Sequence, residues 1–471
     1  MAFRILKNFV VRYRSWIAQQ QAGSRMAQMG ERTPLVDATI SLTTRTAYAL
    51  GHVFNDLTAA MWFSYTLLFL QRVALLEPLT AGCFLLLGQV IDALMTPVFG
   101  VLVDKYSKKK TWHVVGSIMV IFSFPPIFGS FVRNTRSAVS MFVYVLSITI
   151  FQTGWAAVQI SHLSMIPALT SSSILRTELT AIRYSAQVGA AVIVFIVTWI
   201  VLPSSEESGV RLGPTDSFKF RNIVVVLSLL GAVATILFHV FLNARLLEVS
   251  DSSASAKPGG VEAASRAPDA NRHKYWFGNS LLARVAMLYV ASRLFNTLAT
   301  VYLPLYIEET AVGGRQALAT VPLASYIASF VAALLLKYMN ESCGTKVCYL
   351  LGSLIGILAA AIVEFAGSSE AVMYSVAVLI GAGSSITMVT ALSITAELIG
   401  PRTESSALVY SIVTFLDKVV TGLVVIVIEK WRCIDKELCP TYNRDTLALV
   451  CATSMALGLV TLSFVSRCIS N

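Results

Sequence analysis

The sequence has 471 residues, of which 56% are hydrophobic and 13% are charged, and its mean hydropathy is +0.70. A soluble domain carries about 25% charged residues, so this composition excludes a soluble protein and indicates a membrane protein. The formal net charge of +10 is typical of basic loops beside anionic lipid, and no pattern points to nucleic acid.

Apolar segments long enough to cross a membrane recur along the whole chain. One helical span needs about 20 mostly apolar residues, and the continuous runs seen here differ from the short alternating segments of a β-barrel. In chain order the predicted spans are 46–70, 80–103, 112–130, 140–166, 179–202, 222–243, 281–307, 317–336, 346–366, 371–396, 406–428 and 446–467. The sequence therefore predicts an all-α membrane protein of twelve transmembrane helices, six in each half.

This pattern divides the chain into four regions. They are a cytosolic N-terminal tail (1–44), a first six-helix lobe (45–243), a cytosolic linker (244–280) and a second six-helix lobe (281–467). The tail is polar and basic, unlike a signal peptide, and the linker is rich in Ser, Ala, Pro and Gly. Basic residues after the second span and in the linker place both termini in the cytosol, although Lys430 and Arg432 run against this bias.

The tail contains one candidate sorting signal. The segment Glu31 to Val36 looks like the acidic dileucine signals that sort membrane proteins to lysosomes, with Glu31 and Leu35 as the residues that sorting adaptors would contact. Val36 replaces the usual Leu or Ile, and an ordinary tail segment explains the same residues. Such a signal would favour a lysosomal or related organelle membrane, and the plasma membrane is the alternative.

Two internal matches indicate that the chain contains a duplication. RTELTAIRYS, which begins at Arg176, and RTESSALVYS, which begins at Arg402, agree at six positions. The motif that begins at Tyr48 reappears at Tyr289, again in the opening span of its half. Duplicated halves with polar residues at matching depths are typical of transporters built from repeats.

Charged and polar residues lie well inside the apolar segments. A charge at the centre of a span costs about 2.5 to 3.5 kcal/mol on insertion scales, so we expect such residues to line an interior rather than face lipid. The charged ones are Asp56, Asp92, Arg183, Arg293, Asp417 and Lys418. Their neighbours at helical spacing are His52, Asn55, Gln89, Gln152, Gln159, His162 and Asn296. Polar pairing that only holds helices together is the alternative.

The interior charges form a balanced set of three acids and three bases. This balance suits a zwitterionic or polar substrate, with a coupling ion as a further possibility. Movement of a basic group away from Asp92 or Asp56 during transport would favour proton uptake, and His52 and His162 are further proton-binding candidates.

Two cysteines lie close together in the last non-cytosolic loop. Cys433 and Cys439 are predicted to face the lumen or the exterior, where disulfides persist, so a disulfide between them is a hypothesis. We find no nucleophile with its base, no metal-ligand cluster and no phosphate-binding loop. The sequence therefore predicts neither an enzyme nor a cofactor.

The second span and the loop after it carry a family resemblance. Gly100, Leu102, Asp104, Lys105 and Ser107 to Lys109 resemble the signature loop of the major facilitator superfamily, with Ser107 where Gly is usual. The stretch from Asp92 through Thr96 and Pro97 looks like the melibiose-carrier branch, as does Lys418. Those carriers have a second Asp before the Pro, and Thr96 in its place puts sodium coupling in doubt.

Further segments resemble one group within that superfamily. GHVFNDLTAAMWFSY, LLLGQVIDALMTP, FQTGWAAVQISHLSMIPAL, ELTAIRYS, VPLASYIASF and TFLDKVVTGL are similar to the family of major facilitator superfamily domain-containing protein 12, over most of the core from about 45 to 425. The resemblance implies a carrier that moves cysteine into lysosomes and pigment organelles. It marks these cavity residues: His52, Asn55, Asp56, Gln89, Asp92, Gln159, His162, Asp417 and Lys418.

Charged residues at the cytosolic span ends are predicted to form a gate. They are Asp104, Lys105, Arg176, Glu178, Arg402 and Glu404. We expect the two Arg-Thr-Glu copies to form salt bridges between the lobes that break when the gate opens. Solvated loop charge is the alternative.

The resulting hypothesis is a carrier of cysteine, or a related small amino acid, that works by alternating access with its site at the midplane. Two alternatives stay open. One is a proton- or cation-coupled sugar or organic-solute symporter of the melibiose-carrier type. The other is a non-transporting membrane receptor or scaffold on a carrier fold.

Overall fold

The structure is a computed structural model that describes residues 41–106, 108–129, 137–169, 173–202, 212–242, 280–367, 369–399, 406–433 and 439–469. The described residues form helices, with no strand among them. The candidate sorting signal at Glu31 and Leu35 and most of the predicted linker lie outside these ranges.

The first half of the chain contains seven α-helices. They are α1 (Leu42–Leu50), α2 (Val53–Leu68), α3 (Pro78–Tyr106), α4 (Lys109–Phe128), α5 (Ala138–Leu169), α6 (Ser173–Val201) and α7 (Ser217–Phe241). A π-helical segment, Phe69–Val73, extends α2. Since α1, α2 and this segment together occupy the first predicted span, the half provides six helical stretches.

The second half repeats this number. Its helices are α8 (Ser280–Thr310), α9 (Ala317–Cys343), α10 (Thr345–Phe365), α11 (Glu370–Ile399), α12 (Ser406–Lys430) and α13 (Tyr442–Ile469). Nine of the twelve stretches are long and apolar enough to cross a membrane over their described residues. The other three are α6, α8 and α12, which carry Arg183, Arg293 and the Asp417–Lys418 pair.

The sequence predicted one continuous helix for the first span, but the structure divides this span into two helices. A turn at Gly51 and His52 separates α1 from α2. The Gly51 carbonyl accepts a hydrogen bond from Nε2 of His113 on α4, at 2.7 Å. A Cβ atom at Gly51 would lie 2.7 Å from Phe238 and 2.8 Å from His162, so this turn requires glycine for its close approach to α5 and α7.

The two halves pack through helices at matching positions of the repeat. The cross-half contacts join α3 to α12, α6 to α9, and α2 to α8. The second and fifth stretches of one half thus meet the fifth and second of the other, as expected of a duplicated unit. The main apolar core contains buried residues of both halves, including Trp62, Tyr65, Tyr302 and Tyr306.

The helical body has two ends, which we name by residues. The linker end is where α7 finishes and α8 begins, and the Glu429 end is the opposite one. At the Glu429 end, Arg72 Nε lies 2.9 Å from Glu308 Oε2, and Arg315 Nη1 lies 2.7 Å from Asp216 Oδ1. These ion pairs join the first half to the second.

Candidate substrate and ion site

An ion pair between Asp92 and Lys418 links the two halves at mid-depth. Lys418 Nζ on α12 lies 2.5 Å from Asp92 Oδ2 on α3, and both side chains are largely buried. Thr96, one turn after Asp92, donates its hydroxyl to Asp92 Oδ1 at 3.2 Å and to the Asp92 carbonyl at 2.8 Å. Because the pair joins the first half to the second, its formation depends on the relative position of the halves.

A second, partly buried ion pair lies within the second half. Arg293 Nε on α8 donates to Asp417 Oδ2 at 2.9 Å, and Thr421 donates to Asp417 Oδ1 at 3.4 Å. Asp417 and Lys418 are adjacent in sequence, so the helix directs them to different neighbours. Asp417 pairs within its own half, and Lys418 pairs across to the other.

A chain of three polar side chains forms the corresponding cluster in the first half. His52 Nδ1 lies 2.9 Å from Asp56 Oδ1, and Arg183 Nη2 lies 2.9 Å from His52 Nε2. Because a guanidinium can only donate, His52 Nε2 must accept, and the ring hydrogen of the neutral imidazole lies on Nδ1, from which it is donated to Asp56. A proton can therefore join His52 Nε2 only after Arg183 moves away.

This cluster leaves a donor and an acceptor without partners. Asp56 Oδ2 and Arg183 Nε are both buried, and neither has a hydrogen-bond partner among the described residues. Buried polar groups are nearly always hydrogen-bonded, so these two atoms are available to a bound molecule or water. One accepts from a cationic donor, and the other donates to an anion.

Other predicted residues lie near this cluster, and two of them bond to the backbone of neighbouring helices. His162 is fully buried, stacks on Tyr48 with ring centroids 4.2 Å apart, and donates Nε2–H to the Tyr48 carbonyl at 2.8 Å. Asn55, also fully buried, donates to the Trp155 carbonyl at 2.9 Å. Nδ1 of His162, Oδ1 of Asn55 and Oε1 of Gln159 have no hydrogen-bond partner among the described residues.

Two histidines that the sequence analysis did not single out extend the group. Nδ1 of His113 on α4 lies 3.0 Å from Nε2 of His239 on α7, and the His113 and His162 rings are 6.2 Å apart. Four of the chain's five histidines thus lie together in the first half. Histidine is scarce in this chain, and His113 and His239 lie inside predicted spans. This combination was the signal that could have identified them.

A small cavity of about 10 Å³ lies within the first half, between α2, α3 and α5. It is lined by Ala59, Trp62, Phe63, Gln89, Asp92, Phe151, Gln152 and Trp155. Gly88 brings α3 close to α2 and α5 there, since a Cβ atom at this position would lie 2.6 Å from Trp62 and 3.0 Å from Gln152. Of the predicted site residues, Gln89 and Asp92 line this cavity, while Asn296 lies half-buried on α8, one turn after Arg293.

The predicted gate at the linker end is only partly described. Asp104 and Lys105 belong to α3, and Arg176 and Glu178 to α6, but their side chains lie outside the described part of the structure, as do Arg402 and Glu404 entirely. The salt bridges between the Arg-Thr-Glu copies therefore stay a prediction.

The Glu429 end holds a polar network that the sequence analysis missed. The Glu429 side chain is 0% exposed, and its carboxylate accepts from Gln71 Nε2 at 2.7 Å, from the Tyr302 hydroxyl at 2.8 Å and from Arg432 Nη1 at 3.0 Å. The sequence analysis noted Arg432 only as a basic loop residue that was an exception to the predicted topology. Its pairing with Glu429 three residues earlier, at helical spacing, was the missed signal. The structure also joins Cys433 to Cys439 in a disulfide, as hypothesised.

Long apolar helices in two matching halves, with charged residues paired between and within the halves at mid-depth, define a multi-pass membrane carrier. The chain belongs to the major facilitator superfamily, in the family described as MFS/sugar transport protein, which matches residues 47–429. The protein is thus a secondary transporter of that superfamily, and the all-α fold class predicted from the sequence is confirmed.

Mammalian relatives are similar over most of the chain. Major facilitator superfamily domain-containing protein 12 of Homo sapiens is 36% identical over 420 residues, which cover 85% of this chain and 87% of the relative. The mouse protein of the same name has the same identity and coverage.

Solved structures share the fold. A D-xylose-proton symporter superposes with a TM-score of 0.65 and 11% sequence identity, covering 90% of this chain and 96% of the other. The nucleoside transporter NupG superposes with a TM-score of 0.62 and 12% identity, covering 90% and 99%. At this identity the likeness concerns the fold alone.

Proposed function

We propose that this protein carries cysteine, or a related small amino acid, across a lysosomal or related organelle membrane by alternating access. The resemblance of its core segments to the family of major facilitator superfamily domain-containing protein 12 implies this substrate. The 36% identity to the human protein over 85% of the chain supports the comparison.

The observation that carries the proposal is the pair of unpartnered atoms beside His52. An amino acid has an ammonium group that donates and a carboxylate that accepts. Asp56 Oδ2 is a buried free acceptor for the ammonium, and Arg183 Nε is a buried free donor for the carboxylate. His52 connects the two residues through contacts of 2.9 Å on each side, so they form one site that suits a zwitterion.

Competition for labelled cysteine uptake into vesicles tests this assignment. Cysteamine keeps the amine and thiol but lacks the carboxylate, and 3-mercaptopropionate lacks the amine. We expect both to compete about tenfold or more weakly than cysteine, as expected for loss of one charge-assisted hydrogen bond. In Arg183→Gln the preference for cysteine over cysteamine should disappear, and in Asp56→Asn the preference over 3-mercaptopropionate should disappear.

Arg221→Gln is the matched control, because Arg221 is an exposed arginine on α7. It should leave both preferences unchanged. Equal competition by all three compounds in the unmodified protein would argue against an amino-acid site at Asp56 and Arg183.

A sugar or other organic solute is the second candidate, favoured by the side chains around the cavity of the first half. Trp62 and Trp155 offer aromatic faces there, and Gln89 and Gln152 offer amides, a mixture that suits a polar ring. The same uptake assay with labelled sugars separates the candidates. Sugar uptake that is lost in Asp92→Asn would favour this second function over the first.

The coupling ion that we favour is the proton. Thr96 stands where the melibiose-type carriers have a second Asp, which leaves Asp92 with Lys418 as its nearest cation. When the halves separate at this interface and Lys418 withdraws, a proton can replace the lost charge on Asp92. Uptake that ignores an imposed pH gradient would rule this coupling out.

The proposed topology has both termini and the linker end in the cytosol. The Glu429 end would then face the organelle lumen, where the Cys433–Cys439 disulfide can persist. Protease protection of tags at the N-terminus and in the 434–438 loop, in intact organelles, tests it. Protection of the tag at the N-terminus would mean that the orientation is the reverse of the proposed one.

A further inference from the structure

A disulfide closes the connection between α12 and α13 at the Glu429 end. Cys433 follows α12, which ends at Lys430, and Cys439 precedes α13, which begins at Tyr442. Their Cα atoms are 6.2 Å apart. The bond thus holds the last residues of one helix close to the first residues of the next.

Arg432, the residue directly before the disulfide, bridges the same two helices. It donates to Glu429 on α12 at 3.0 Å and to Asn443 Oδ1 on α13 at 2.8 Å, and its guanidinium lies 5.4 Å from the centre of the Tyr442 ring. Tyr442 in turn donates its hydroxyl to the Ile428 carbonyl at 2.8 Å. The position of Arg432 therefore depends on the two helix ends that the disulfide holds together.

Glu429 depends on Arg432 for its charge partner. Its other two hydrogen-bond donors, Gln71 from the π-helical segment and Tyr302 from α8, are neutral. A buried carboxylate that loses its cation is strongly destabilised. Since Gln71 belongs to the first half, the Arg432–Glu429 pair stabilises a contact that closes the two halves at this end.

A cavity of about 200 Å³ lies beside the disulfide, and both cysteines line it. Both residues are half-buried, and a small molecule in this cavity lies next to the disulfide. The wall also carries basic groups, Arg72 and Arg432, and acidic groups, Glu308 and Glu309. These charges of both signs suit a small zwitterion.

We propose that this cavity is a binding and reaction site for a small zwitterionic thiol, which opens the Cys433–Cys439 disulfide by exchange and thereby loosens the closed Glu429 end. The choice of cysteine as that thiol rests on the proposed function. In the reaction, the thiolate of the incoming molecule attacks one sulfur and forms a mixed disulfide. The Cys433–Cys439 bond breaks, and the other cysteine leaves as a thiolate that takes up the proton given up by the incoming thiol.

A second thiol molecule can complete the exchange. It attacks the mixed disulfide, releases the oxidised dimer of the small thiol and leaves Cys433 and Cys439 as two thiols, so that two molecules of thiol are oxidised and one disulfide is reduced. No other oxidant or reductant takes part. With the bond open, α12 and α13 no longer hold Arg432 in place, and Glu429 loses its cation.

Mass spectrometry of the full-length protein tests the chemical step. The purified protein is incubated with L-cysteine in oxygen-free buffer, quenched in acid, alkylated and digested. We expect a cysteinyl group on Cys433 or Cys439, or alkylation of both, while S-methylcysteine and serine leave the disulfide intact. Early in the reaction, before the oxidised dimer is released, Cys83 and Cys343, which are free thiols, should gain no cysteinyl group, since two thiols form a disulfide only with an oxidant.

The rate of opening tests the binding step. At equal thiolate concentration, cysteine should open the disulfide about fivefold faster than 2-mercaptoethanol, as expected for one favourable charge contact. Arg72→Gln should remove this advantage, and the exposed Arg221→Gln should retain it. Equal rates for the two thiols in the unmodified protein would overturn the binding site.

Hydrogen exchange tests the structural consequence. After opening of the disulfide, deuterium uptake should rise in peptides that contain Gln71 and Tyr302, and stay unchanged in peptides of α4 at the linker end. Arg432→Gln should produce the same rise without thiol. If the Cys433→Ser/Cys439→Ser protein folds and exchanges like the unmodified one, the disulfide does not hold this end closed.

The outcomes separate this inference from the proposed function. Uptake of cysteine without opening of the disulfide leaves the function standing and overturns the inference. Opening by cysteine with the expected rise in exchange, in a protein that does not take up cysteine, supports the inference for thiols as a class and contradicts the proposed substrate.

Discussion

Lys418 and Asp92 form a buried contact that we expect to affect both stability and transport. The two side chains are only 15% and 5% exposed, so neither charge is well hydrated. Burial of a lone charge is costly, and removal of one partner from a buried pair typically costs about 3 to 5 kcal/mol. A neutral pair of similar shape avoids that cost but has no charge to exchange.

Replacement of one partner should therefore be worse for stability than replacement of both. We expect Lys418→Met to lower the free energy of unfolding by about 3 kcal/mol, because Asp92 is left without its cation. The double variant Asp92→Asn/Lys418→Met should regain most of that stability while remaining inactive in coupled uptake. Thermal unfolding of the purified proteins and vesicle uptake measure the two effects.

Equal stability of the single and double variants would mean that Asp92 finds another partner, or is protonated, when Lys418 is absent. Thr96, which already donates to Asp92, cannot neutralise its charge. The conservative Lys418→Arg serves as the control, since it keeps the cation at this position.

At the scale of the helix, α3 shows how glycine determines the approach of neighbours. Gly88 and Gly100 belong to the same helix, but their surroundings differ. A Cβ atom at Gly88 would lie 2.6 Å from Trp62, whereas one at Gly100 would meet nothing within 4 Å. The first glycine is required by packing next to the cavity, and the second is not.

Alanine substitutions at these two positions should have opposite effects. Gly88→Ala should lower the free energy of unfolding by about 1 to 3 kcal/mol through overpacking. It should also reduce uptake, because the added methyl group pushes α3 away from α2 and α5 beside the cavity. Gly100→Ala should be neutral or stabilise by about 0.5 to 1 kcal/mol, since alanine favours the helix. Thermal unfolding compares them, and equal loss in both variants would contradict the packing argument.

The break in the first span is a second feature at this scale. An apolar run of this length predicts an unbroken helix, yet the chain turns at Gly51, whose carbonyl accepts from His113. Periodicity within one segment contains no information about a donor on another segment. The cysteine pair was predictable by contrast, because Cys433 and Cys439 are only six residues apart in sequence.

At the scale of the whole molecule, the two ends of the bundle differ in what joins the halves. Ion pairs such as Arg72–Glu308 and Arg315–Asp216 close the Glu429 end. Alternating access requires a matching closure at the linker end in another state. The doubled Arg-Thr-Glu segments, one in each half, are our candidate for that closure.

Charge reversal tests this closure across the halves. Arg176→Glu should slow uptake several-fold, because it places like charges together when the linker end closes, and Glu404→Arg should do the same. The double reversal Arg176→Glu/Glu404→Arg restores attraction and should recover part of the rate. Initial uptake rates in vesicles provide the measurement, with protein amount matched by immunoblot.

Unchanged rates in both single variants would remove Arg176 and Glu404 from any gate. Failure of the double reversal to recover activity would mean that each residue acts with some other partner. Glu370→Arg, at an exposed position of α11, is the control for charge reversal alone.

The sequence by itself determined the helical spans, the duplication and which charged residues must avoid lipid, because each follows from composition or spacing within a segment. Only the tertiary structure decided the partners. Adjacent Asp417 and Lys418 bind Arg293 of their own half and Asp92 of the other, and Arg183 contacts His52 rather than a carboxylate. Such choices depend on distances between segments that are remote in the chain, and local periodicity carries no record of them.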